Sequence, residues 1–78
     1  MSLDYNLLLT ADQKRNLLQG RIQQFASEAY QHTLNLKTAE KLGSEEQLES
    51  IKKSIDVLET AIKIHQEELS KLPLPETE

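Results

Sequence analysis

The chain has 78 residues, 37% of them hydrophobic, no cysteine, and a formal charge of −4 from 13 acids against 9 bases. That bounds it to one small domain and excludes disulfides, thiolate zinc sites and cysteine nucleophiles. The acidic balance argues against a general nucleic-acid or anionic-membrane surface.

Residues 1–9 form an apolar N-terminal arm. Leu3, Tyr5, Leu7, Leu8 and Leu9 are not spaced for a helix. The opening Met1-Ser2-Leu3-Asp4 lacks the basic region and long apolar stretch of a signal peptide. No apolar run approaches the roughly 18 residues of a membrane span. A cytoplasmic protein without a membrane partner is therefore expected.

Thr10-Ala11-Asp12-Gln13 is a helix start. Thr10 and Gln13 can close a capping box, and Asp12 suits the positive end of the dipole. The first long helix should run from about 11 to 42. Gly43 then fits a left-handed cap, with Lys37 and Lys41 near the negative end. Ser44-Glu45-Glu46-Gln47 repeats the capping-box pattern, so a second long helix is expected over about 45–72. Pro73 stops it, and 73–78 is an extended tail. The hairpin proper is thus 10–72.

Apolar positions mirror one another about Gly43-Ser44. The first helix offers Leu18, Ile22, Phe25, Ala29, His32, Leu36 and Ala39; the second offers Leu48, Ile51, Ile55, Leu58, Ile62, His65, Leu69 and Leu72. Steps alternate three and four, and mirrored numbers from Ala39/Leu48 to Leu18/Leu69 all sum to 87. Two helices zipped antiparallel need this pattern. One continuous helix is the alternative. Against it stand Gly43 and the nine-residue step from Ala39 to Leu48, which breaks the rhythm. The expected fold is all-α: an antiparallel two-helix coiled-coil hairpin. A chain this small has one seam to share, so it is expected to oligomerise into a helical bundle.

Two sets of residues are left over. On one side of the second helix, Ser50, Ser54, Val57, Ala61 and Ile64 make a second stripe, of which Val57, Ala61 and Ile64 are the expected homo-oligomer contact. On its opposite side Lys52, Asp56, Glu59 and Lys63 should be solvated, beside a minor apolar patch of Ala26, Tyr30 and Thr33 from the first helix, with Leu34 further round. Residues 3–14 have no counterpart in the second helix. Leu3, Tyr5, Leu7, Leu8 and Leu9 are therefore a candidate protein-partner contact, with fold-back onto Leu17 and Leu72 as the plainer alternative.

His32 and His65 are the seam residues that could carry chemistry. The sequence has no Glu-x-x-His of the kind that builds di-iron bundles. His32 should face Ile55 and His65 should face Ile22, roughly 15 Å apart along the rods, too far to share an ion. Setting register, as a buried asparagine does in coiled coils, is their expected role. An Arg21–Glu68 ion pair should help alignment. The hydroxyls of Ser27, Ser44 and Thr60 have no arguable His/Asp partners, and there is no Gly-rich phosphate loop. No enzyme, catalytic residue, metal or cofactor is expected.

The stretch Leu9-Thr10-Ala11-Asp12-Gln13-Lys14-Arg15, within a Gln/Glu/Lys-rich acidic hairpin, resembles small uncharacterised helical-hairpin proteins of tailed bacteriophages. That resemblance implies a phage-encoded protein, in host cytoplasm or virion, and carries over no functional residue. In architecture the chain is also similar to the two-helix regulators of plasmid RNA pairing, without a shared motif. The leading expectation is a non-enzymatic protein–protein interaction module: an oligomeric adaptor, assembly factor or inhibitor. The alternatives are a small RNA- or DNA-binding helical dimer, through Lys14, Arg15 and Arg21 with Lys52, Lys53 and Lys63, or small-ligand binding between subunits. Nucleic acid is not the expected partner.

Overall fold

A computed structural model describes residues 3–73. Three helices follow in chain order: α1 (Tyr5–Leu8), α2 (Ala11–Leu42) and α3 (Glu45–Ser70). The expected tail 74–78 and the first two residues of the arm lie outside the described residues. The fold is an all-α helical hairpin, with α2 and α3 packed along their length.

Local chemistry accounts for most of the boundaries. At the start of α2 the Gln13 backbone N–H donates to Thr10 Oγ1 at 3.1 Å, and the Thr10 N–H donates to Gln13 Oε1 at 2.9 Å. Two of the free donors of that helix end are thereby satisfied. At the far end Gly43 adopts φ +72°. The Ser44 N–H then reaches the Ala39 carbonyl, and the Gly43 N–H reaches that of Glu40, both at 3.2 Å. This pair of bonds is a Schellman closure.

Three expectations need correction. The second capping box does not form, because Ser44 makes no side-chain cap bond. Its backbone is extended, at φ −90° and ψ 95°, and its hydroxyl makes no bond to the Gln47 N–H. Glu45 and Glu46 still place negative charge at the positive end of α3. Second, α3 ends at Ser70 rather than 72. Pro73 pushes Leu72 out of helical conformation, and the last turn tightens, with Leu72 N–H on the Leu69 carbonyl at 3.2 Å. Third, the arm contains a helical turn. The Asp4 carboxylate accepts from the Asn6 N–H at 3.0 Å and its carbonyl from the Leu7 N–H at 3.0 Å. One turn carries no periodicity, so the spacing of its leucines does not announce it.

Every residue of both seams is buried or half-buried. Only Ala39, close to the turn, is fully buried, at 2% exposure. The shape explains this. The molecule measures 52 × 39 × 14 Å. A helix with its side chains is about 10–12 Å across, so the thin dimension holds one layer. The arm lies within that layer, and both broad faces of the hairpin meet water.

The two glycines separate by conformation. Gly43 holds a positive φ, whereas Gly20 lies inside α2 with nothing within 4 Å of an added Cβ. Gly43→Ala should cost about 1–2 kcal/mol. Gly20→Ala should gain about 1 kcal/mol. Urea denaturation followed by circular dichroism reads both, and equal signs for the two variants would contradict this assignment.

Candidate functional site

Three features lie outside the helix–helix seam or interrupt it: the α3 stripe, the arm, and a polar cluster around His65.

The stripe runs along α3 on one broad face. Val57 and Ile64 are 68% and 52% exposed, while Ala61 and Ser54 between and beside them are half-buried. The Ser54 hydroxyl donates to the Ser50 carbonyl at 3.2 Å, so it is satisfied within its own helix. Lys52, Asp56, Glu59 and Lys63 on the other side of α3 are all exposed. Toward the turn, Asn35 and Thr38 of α2 and Gln47 and Ser50 of α3 line a shallow polar groove on the stripe's face.

The arm caps the open end. Tyr5 and Leu9, with Leu17, Leu72 and the two lysines Lys14 and Lys71, line a cleft of about 550 Å³. Lys14 Nζ donates to the Asn6 side-chain oxygen, and the Arg15 guanidinium bridges Asp12 and the Pro73 carbonyl. These bonds tie α1 to α2 and α2 to the end of α3. The arm thus reaches the neighbourhood of Leu17 and Leu72, yet Leu3, Tyr5, Leu7, Leu8 and Leu9 all stay exposed, Leu7 at 82%. Leu42 beside the turn is a further exposed leucine that heptad patterning passes over, at 75%.

A polar cluster surrounds His65. Arg21 Nε donates to His65 Nε2 at 2.9 Å. Arginine only donates, so Nε2 is the acceptor and the ring proton sits on Nδ1. Nδ1 then donates to the Ala61 carbonyl at 2.7 Å. The Phe25 ring meets the imidazole edge-on, with centroids 5.0 Å apart, and the Arg21 guanidinium lies 5.1 Å from the same ring. Both nitrogens of a polar ring in an apolar seam are thereby satisfied. The expected Arg21–Glu68 pair is replaced by this arrangement. Glu68 pairs instead with Lys71, the residue just past the end of α3, at 3.0 Å, a contact that needs no reach between helices. That carboxylate, hydrogen-bonded to the ammonium, raises the Lys71 pKa above its usual value. Seam arithmetic contains the signal for Arg21 and His65, since their numbers sum to 86, one short of the mirror value.

His32 is half-buried and makes no side-chain hydrogen bond among the described residues. His65 sits at the level of Arg21 and Phe25, which leaves His32 roughly two to three helical turns away. Among the described residues no three of His, Asp or Glu lie close enough to hold a metal ion, and no helix is long and apolar enough to cross a membrane.

Compared with protein-family models, curated proteins and solved structures, the chain matches none of them.

The Arg21–His65 bond predicts a measurable coupling. A double-mutant cycle of Arg21→Ala and His65→Ala in urea denaturation should give about 0.5–1.5 kcal/mol of interaction energy. Strictly additive losses would mean that the bond contributes nothing to the hairpin.

Proposed function

We propose that this protein is a non-enzymatic protein–protein interaction module, an oligomeric adaptor, assembly factor or inhibitor that associates with itself through Val57, Ala61 and Ile64 and offers its apolar arm to a protein partner. The observation that carries this reading is the one-layer shape with Ala39 alone buried among the described residues. A hairpin this open has apolar surface left for a second chain. The likeness of residues 9–15 to small phage hairpin proteins adds phage encoding to the proposal, and host cytoplasm or virion as its place.

Three of the six basic residues that a nucleic-acid reading would use are engaged inside the chain. Lys14 is held by Asn6, Arg15 by Asp12 and Pro73, and Arg21 by His65. Lys52, Lys53 and Lys63 of α3 are exposed, whereas the engaged three would give up an intramolecular bond to reach a phosphate. This favours protein contact over the RNA- or DNA-binding alternative.

Light scattering at micromolar concentration should give a multiple of the 8.9 kDa chain mass. Combined Val57→Glu and Ile64→Glu should return it to a monomer, because two carboxylates cannot be covered without partners. A wild-type monomer unchanged by that pair of substitutions would overturn self-association. An RNA-induced mobility shift that disappears with added salt would move the assignment to the nucleic-acid class. Leu7→Glu with Leu8→Glu should leave the oligomer intact and abolish co-purification of a protein partner.

A further inference from the structure

We propose that the occupant of the α3 face is a second copy of this chain, docked antiparallel about a twofold axis at Ala61, so that Val57 of each copy meets Ile64 of the other. This rests on the self-association proposed above and specifies its geometry.

The area is sufficient. The hairpin is 52 Å long and 14 Å thick. Two helices set about 8–10 Å apart present a face roughly 20 Å wide, or on the order of 1,000 Å². A stable pair takes about 800 Å² from each partner. The accessible surface of the chain agrees. It is 6631 Å², whereas a compact monomer of 8.9 kDa would expose about 4,800 Å².

Charge selects the face. From Ser50 to Ile64 the stripe positions Ser50, Ser54, Val57, Ala61 and Ile64 carry no charge, while the other side of α3 presents Lys52, Asp56, Glu59 and Lys63 to water. Covering the first side leaves those four ions solvated; the ions it covers are Glu68 and Lys71, already paired with each other, and Arg21 and Glu28 of α2. Within the stripe the Ser54 hydroxyl and the Ala61 carbonyl already have partners.

Symmetry selects the orientation. Two hairpins stacked face to face admit two twofold axes. An axis along the rods lays α3 of one copy over α2 of the other. The heptad places Gln24, Glu28 and Gln31 of α2 on that face, so Val57 and Ile64 would meet amides and a carboxylate. An axis across the rods lays α3 over α3, antiparallel, and apolar side chains meet their own kind. Ala61 lies between Val57 and Ile64, four residues from one and three from the other. With Ala61 on the axis, both pairs close at once, which is the self-complementarity an isologous contact requires. Its methyl also lets the two helices approach closely at the crossing point. In the same register Leu72 lies over Ser50 of the second copy, which carries the arm toward that copy's turn and its exposed Leu42.

The full chain has no cysteine, so single thiols can be placed without background. Under mild oxidation Ala61→Cys should form a covalent dimer, because the two Cβ atoms face each other across the axis. Val57→Cys and Ile64→Cys should each self-couple poorly, their equivalents lying roughly 12 and 9 Å apart along the helix, beyond disulfide reach. Mixed together, these two variants should give a heterodimer in about tenfold excess over either alone. Light scattering of each variant separates the outcomes. An oligomer in which Val57→Cys self-couples and Ala61→Cys does not would overturn the twofold and leave self-association standing. A monomer would overturn both. The Val57/Ile64 mixture reads the same geometry without altering Ala61, so a poorly folded Ala61→Cys does not hide the answer.

Discussion

Two helices laid side by side can cover each other's seam from one direction only. The rest of this structure follows from that constraint. The seam side chains of α2 and α3 interlock, yet each keeps a flank open to water on either broad face, and a layer 14 Å thick has nothing behind it. Ala39 escapes because it is small and lies beside the turn, where the two chains are joined and the helices cannot part. Further along, larger residues such as Phe25, Ile55 and Leu58 remain half-buried. Burial contributes in proportion to the apolar area removed from water, so the seam gains only part of what a second layer would supply. The α3 stripe and the arm are where more could be gained.

Register is fixed at two places. At the turn, the left-handed Gly43 and the bonds to the Ala39 and Glu40 carbonyls set the point where α2 stops. Any slip would move Leu48 and Ile51 off their partners. Near the open end, Arg21, Phe25 and His65 form the second anchor. An unsatisfied imidazole between hydrophobic side chains would cost free energy. Here one nitrogen is held by its own helix and the other by Arg21 from the facing helix. His65 thus makes a specific contact between the helices in place of a nonspecific one, as buried polar residues do in coiled coils. The Arg15–Pro73 contact extends this tie past the end of α3.

The architecture is legible in the sequence because its signals are periodic or local. Alternating steps of three and four mark the seam over several turns, and Gly43 marks the stop. Thr10 with Gln13 is a cap whose two bonds form as the pattern suggests. The same pattern at Ser44 forms no side-chain bond, so the residue types permit a capping box without enforcing one. Asp4–Leu8 is too short for any period to show. The Arg21–Glu68 pair illustrates a further limit. Mirror arithmetic brings the right residues to the right level, but Lys71 just past the end of α3 competes for Glu68, and His65 offers Arg21 an acceptor. Register decides who is near, and local competition decides who bonds. For the stripe and the arm, the sequence identifies residues without a counterpart in the hairpin, and the structure adds their exposure.

The arm and the stripe are also arranged so that each can be used without the other. Lys14 with Asn6 holds the arm at the open end, where Tyr5 and Leu9 line a cleft with Leu17, Leu18, Glu68 and Leu72. A chain that folded its own leucines over Val57 and Ile64 would satisfy itself as a monomer. Here the arm stays at the open end, and Val57 and Ile64 remain exposed. Under the proposed twofold, stacking joins the α3 faces, the charged flank with Lys52, Asp56, Glu59 and Lys63 stays in water, and Leu7 and Leu8 project from each end of the pair. An assembly built this way is bivalent, with two arms held at fixed separation by a rigid core. That geometry suits an adaptor bridging two identical sites, because the second arm binds at an effective concentration set by the core rather than by the bulk.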